Sequence, residues 1–107
     1  MSAFEYGDIS QRQAESGQPY LQFINEGTMS LGLYVLAAGS VDTQSPHDED
    51  EIYYVVKGRG AIDVAGERRP VHAGSIVFVA KEVQHRFVDV EEDLSLLVFF
   101  APEHRQR

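Results

Sequence analysis

The chain has 107 residues and a net charge of −8, with 43% hydrophobic residues, 24% charged residues and no cysteine. That size supports one domain with a packed core and leaves no room for a separate nucleotide-binding unit. The lack of cysteine excludes a disulfide scaffold, thiolate zinc sites and a cysteine nucleophile, and the acidic balance makes nucleic acid and anionic membrane poor partners.

The first residues, MSAFEYGDISQRQ, carry neither a basic nor an apolar leader region, and no apolar run approaches the roughly 20 residues of a membrane span, so a cytoplasmic location is expected. Residues 1–19 are polar and close on Gly17 and Pro19; they read as an N-terminal arm able to add a strand. Residues 20–24 (YLQFI) predict a short strand, 25–28 a turn, and 29–38 (MSLGLYVLAA) a longer apolar strand that stops at Gly39. Residues 39–50, with Pro46 among them, read as a loop. A strand over 51–57 (EIYYVVK) is followed by a hairpin turn at Gly58-Arg59-Gly60 and a short strand over 61–64. Residues 68–71 lead to a turn at Ala73-Gly74; strands over 75–80, 83–90 and 94–101 follow, with a break at Lys81-Glu82 and a turn over 91–93. Short strands with turn residues about every 8–12 positions predict an all-β sandwich or barrel, and no useful stretch holds a helical period. The reading is a single domain over 1–107, a small antiparallel β-barrel with its core in residues 29–101.

Of the four histidines, His104 in a polar tail and His72 beside a turn read as solvated. His47 precedes a strand and adjoins Asp48-Glu49-Asp50-Glu51. His85 alternates with Val83 and Phe87, so it faces inward if they do, and a buried imidazole needs a partner. Two neutral imidazoles and a carboxylate (His47, Glu51 and His85) suit borderline divalent ions such as iron, zinc, manganese, nickel or copper. Fully extended, residues 47 and 51 would lie about 13 Å apart, so a shared ion requires a bend between Asp48 and Asp50. Composition and spacing leave this site level with a solvated acidic loop paired to His47. Tyr53 shares a strand face with Glu51, either as a hydroxyl donor or as a core aromatic, and Phe87 shares one with His85; with Val55 and Phe78 they are the expected pocket lining. Arg86 faces the other way. No Ser-His-Asp order or phosphate loop appears, and no catalytic residue is assigned.

These positions can be laid on both motifs of the cupin superfamily, which the chain resembles. The first motif is Gly, five residues, His-x-His, three or four residues, Glu, six residues, Gly. It runs here from Gly39 to Gly58, with Ser45 at the first histidine position, His47 at the second, and Glu51. The second starts at Gly74, with Ala80 at the proline position, Glu82 at the second glycine, His85 at the histidine and Asp89 at the asparagine. The resemblance implies a jelly-roll β-barrel with a divalent metal (Fe, Zn, Ni or Mn) in its mouth on His47, Glu51 and His85. A serine hydroxyl is a poor ligand, so Ser45 leaves three outcomes. The site is open at that position, or Gln44 or Glu49 supplies a fourth ligand, or the barrel binds a small molecule without metal. The implied function is to bind or convert a small organic molecule, by oxygenase, isomerase or lyase chemistry. The alternative is a non-catalytic, metal-free small-molecule-binding barrel. A homodimer is expected by analogy.

Overall fold

Strand pairing organises most of the described residues, 1–44 and 46–104, in a computed structural model of the chain. The elements are α1 (Tyr6–Ser16), β1 (Tyr20–Asn25), β2 (Ser30–Leu36), β3 (Asp50–Val64), β4 (Glu67–His72), β5 (Ile76–Val79) and β6 (His85–Ala101). Every pairing is antiparallel; the order is β1-β2-β6-β3-β4, with β5 added to β3. The mostly-β barrel class expected from the sequence is the observed one.

Two predicted turns are absent. Gly58-Arg59-Gly60 lies inside β3, and residues 91–93 lie inside β6. Both segments sit where the two strands fall out of step: β6 takes eight residue steps from Val88 to Leu96, and β3 takes six from Val55 to Ala61. The surplus is absorbed as bulges, which bend and twist a ribbon without ending it. Gly58 is essential to this bend, because its φ is +100° and a Cβ there would strike the Asp93 carbonyl. Asp89 also adopts a left-handed conformation at φ 49°.

The bend closes the barrel. Glu51 pairs with Phe100 near one end of the β3–β6 ribbon, and Val64 pairs with His85 at the other. A straight strand would hold those ends about 43 Å apart. Instead the Glu51 and His85 side chains touch, at 2.7 Å. The interior is filled by the inward residues of this rolled ribbon. Tyr53, Val55, Leu94 and Leu96 are fully buried, and Phe87 is nearly so. On β3 the alternation is strict, with Glu51, Tyr53 and Val55 buried and Asp50, Ile52 and Tyr54 exposed.

The N-terminal arm forms a helix, α1, where a possible strand was expected. Residues 11–15 (QRQAE) favour helix, Asp8 complements the dipole of the first turn, and Gly17 ends it in the left-handed conformation. It escaped the periodicity test because only Ile9 is buried, so there is no apolar stripe to read. Phe4, just before it, meets Phe23 of β1 edge to face. Among the described residues no helix is long and apolar enough to cross a membrane.

Candidate metal centre

The loop before β3, the start of β3 and the start of β6 bring three of the sequence-selected side chains together. His85 Nε2 lies 2.7 Å from Glu51 Oε1, and His47 Nε2 lies 3.9 Å from the same oxygen. Ligand atoms of His47, Glu51 and His85 all fall within 4.8 Å of one another. The bend required between residues 47 and 51 is present, since β3 begins only at Asp50. The His47 segment is pinned from the other side, where the Glu82 N–H donates to the His47 carbonyl at 2.8 Å. Glu82 holds φ 66°, which explains why the second motif has glycine at this position.

Gln44 completes a four-atom cluster. Its Nε2 donates to Asp42 Oδ2 at 2.9 Å, which fixes the amide orientation and turns Oε1 toward the site. That oxygen lies 3.1 Å from His47 Nε2 and accepts from the Tyr53 hydroxyl at 3.1 Å. The Tyr53 oxygen is also 3.0 Å from His85 Nε2. Asp42, which the sequence reading missed, organises this wall. It is buried and also accepts from the Tyr34 hydroxyl, the Gln44 N–H and the Phe87 N–H. Ser45, at the first-histidine position, lies outside the described residues.

The protonation tendencies of the two imidazoles run in opposite directions. His85 Nδ1 faces the Val83 carbonyl at 2.9 Å, which directs Nε2 into the cluster. Burial disfavours charge on His85, but hydrogen bonds to Glu51 and Val83 and the charges of Glu51 and Asp42 outweigh it and hold its pKa above the ordinary 6.5. His47 is held below 6.5, first by burial and then by the neighbouring His104 and His85, against the pull of Glu51 and Glu49. Tyr53 stays protonated, because burial and then the charge of Glu51 push its pKa well up. Glu51 is 2% exposed, and among the described residues its Oε2 has no hydrogen-bond partner. A buried carboxylate oxygen without a donor is costly unless a cation satisfies it, so the donor set fits a divalent ion.

Beside the cluster is a cavity of about 200 Å³, walled by Tyr20, Tyr34, Val98 and Phe100 and edged by Gln44, His47 and His104. Tyr20 lies across Gly32 of β2, and a Cβ at Gly32 would run into its ring. The expected lining is therefore partly corrected. Val55 and Phe87 pack in the core beneath the site, with Tyr53 between Phe87 and the cluster. Phe78 turns outward, 61% exposed, because it pairs with outward-facing Ile52 while its neighbour Val79 takes the inner face. Arg86 is exposed, as its alternation with His85 and Phe87 predicts. His72 is exposed, whereas His104 is not the solvated tail residue expected. Its Nδ1 is 2.7 Å from Glu49 Oε1, and its ring stacks on Phe100 at 4.4 Å. Glu49, proposed as a spare ligand, points to His104; His47, Glu49 and His104 form a second close group. No periodicity could have revealed this, because the contact runs from a tail to a loop.

Residues 32–100 match the Cupin domain family. The chain is 46% identical over 102 residues to the protein SCO3923 of Streptomyces coelicolor, covering 95% of this chain and 97% of that one. Among solved structures it is similar to KdgF from Halomonas, with a TM-score of 0.72 at 24% identity, covering 81% of this chain and 78% of that one. It is also similar to salicylate 1,2-dioxygenase from Pseudoaminobacter salicylatoxidans, with a TM-score of 0.78 at 17% identity. That match covers 92% of this chain but 32% of the dioxygenase, and at such identities both likenesses speak to the fold alone.

Proposed function

Because the chain belongs to the cupin family, we propose that its barrel mouth holds one divalent transition-metal ion and binds or converts a small organic molecule beside it. His47, Glu51 and His85 are the proposed ligands, with the Gln44 amide oxygen in place of the absent first histidine. The observation that carries this reading is the buried Glu51 carboxylate, with one oxygen unpartnered among the described residues, two imidazoles facing the other, and an oriented amide oxygen 3.1 Å from the His47 imidazole. A bound ion supplies Lewis acidity or, as iron, redox chemistry. The chain's own residues do the rest. Glu51 serves as a ligand and not as a base, the Val83 carbonyl orients His85, and Tyr53 keeps a proton at its hydroxyl beside Gln44. Tyr20, Tyr34 and Phe100 supply apolar walls that displace water from an organic occupant. The dioxygenase that shares this fold is described in complex with gentisate, which accords with a small-molecule occupant.

The test is elemental analysis of untagged protein beside the His47→Ala/His85→Ala double variant. Near-stoichiometric metal in the parent and none in the variant is the expected result; a parent that stays metal-free after incubation with iron, zinc, nickel and manganese removes the centre. A second reading has one observation in its favour: the 2.7 Å His85–Glu51 contact already pairs the carboxylate. It describes a metal-free binder, which would keep ligand affinity under chelation. The homodimer belongs to the proposal as well, since Ile52, Tyr54, Ile76 and Phe78 are exposed on the outer face of β3 and β5. Light scattering that returns 12.0 kDa would remove it.

A further inference from the structure

The C-terminal tail closes one side of the cavity in a way that neither sequence motif accounts for. Beyond β6, the Glu103 N–H donates to the Gly27 carbonyl at 3.2 Å, and the Gly27 N–H donates to Glu103 Oε2 at 3.3 Å. The His104 N–H then donates to Ser30 Oγ at 2.9 Å. The tail is thus tied to the β1–β2 turn and to the first residue of β2. From that anchorage the His104 ring lies nearly parallel to Phe100, at 19°, and stands edge-on to Tyr20 and His47. Glu49, 4% exposed, holds Nδ1. Ring position is therefore set, and in the tautomer that donates Nδ1–H to Glu49 the lone pair lies on Nε2. His104 borders the cavity and Glu49 does not, and Nε2 is the ring nitrogen that Glu49 leaves for an occupant. Among the described residues Nε2 has no partner.

We propose that His104, oriented by Glu49, recognises a hydroxyl group on a flat aromatic ligand held in this cavity; the proposal rests on the reading of the mouth as a small-molecule site. Three aromatic walls around about 200 Å³ match a single ring better than a flexible chain or a sugar, because ring faces and edges pack against one another without needing polar partners. That volume is polar where Gln44, His47 and His104 edge it, and Nε2 is the His104 nitrogen not taken by Glu49. A ring hydroxyl donates to Nε2, whereas a ring with the oxygen capped leaves the lone pair buried and unpaired, and sites built this way discriminate strongly. Glu49 acts through His104 and is a positioning residue.

The test uses the protein as purified, its metal content measured, and two probes that share one ring and differ in a capped oxygen: phenol and anisole. Binding is followed by NMR-monitored titration, which reads weak affinities. The parent is expected to bind phenol at least about tenfold more tightly than anisole. His104→Phe keeps a ring against Phe100 but removes both nitrogens, and is expected to bind the two probes within about threefold of each other while retaining the parent's metal content. Glu49→Gln, whose amide can hold either tautomer, is expected to lose only part of the preference. Retention of the full preference by His104→Phe overturns the proposal, as does a parent that does not distinguish the probes. A parent that holds metal but binds neither ring loses this proposal and keeps the metal centre. A metal-free parent that still prefers phenol, with the preference lost in His104→Phe, keeps this proposal and loses the metal centre. Melting temperatures of both variants guard against loss of fold.

Discussion

Two carboxylate–imidazole pairs lie side by side in the barrel mouth, both at 2.7 Å, and they are held by different means. Glu51 and His85 stand on paired strands, so their meeting is set by register, by the bulges that roll the ribbon, and by the core beneath. Glu49 and His104 stand on a loop and a tail, and a few side-chain and backbone hydrogen bonds hold them. The first pair is a consequence of the fold. The second is an attachment to it, and can be altered without disturbing the barrel.

The largest expected effect separates the two. Glu51→Ala should reduce metal affinity by more than about a hundredfold, beyond the usual loss from an outer-shell change, and destabilise the metal-free protein by about 3–5 kcal/mol, as breaking a buried pair does. Glu49→Ala should cost about 1.5–3 kcal/mol, in line with one lost charged hydrogen bond, and leave metal content intact. Denaturant unfolding with elemental analysis reads both, and equal losses would erase the distinction. Next is Asp42→Asn, which weakens the acceptor shared by Tyr34, Gln44 and Phe87. Metal affinity should fall about 10–100-fold, as for other ligand-supporting residues. Retention of parental affinity would show that Gln44 needs no support.

The inner pair also predicts a pH signature in metal-free protein. His85 should titrate above 6.5 and His47 below it, resolved as separate imidazole signals by NMR. A folded pKa that is raised means the His85 contribution to stability is complete below 6.5 and is lost as pH rises through the folded value. For His47 the sign reverses: its lowered pKa removes stability as pH falls below 6.5. Both resonances moving on the same side of 6.5 would contradict the described environments. The smallest effect is Phe78→Ser, which should change stability by no more than about 0.5 kcal/mol and leave metal content unaltered, as befits an exposed residue. A larger loss of metal would return Phe78 to the cavity wall where the sequence reading put it.

The inner pair was legible because strand alternation is a local rule. Glu51, Tyr53 and Val55 repeat every second residue, as do His85 and Phe87, and motif spacing joined the two runs. Alternation failed at β5, where four apolar residues in succession (IVFV) leave the inner face undefined, and Phe78 was misassigned. The Gly58-Arg59-Gly60 and 91–93 segments misled for another reason. Glycine and acidic clusters mark turns and bulges alike, and only pairing partners distant in sequence tell which. The α1 helix had no stripe to show, and His104 had no regular element at all. Asp42 was missed because its four contacts gather residues from 34 to 87, a convergence that no local pattern encodes.

Glu51 and His85 touch although they lie toward opposite ends of one ribbon, and this makes the site a clasp as well as a binding place. The barrel cannot unroll along this seam without parting them. A cation shared across the seam would oppose that opening by mass action, by about 2.7 kcal/mol at a hundred times its dissociation constant. The two ligands come from far-apart stretches of chain, whose approach carries the entropy of closing a long loop. The clasp would then fasten after the roll has formed, and its main service to the fold would be to slow its undoing.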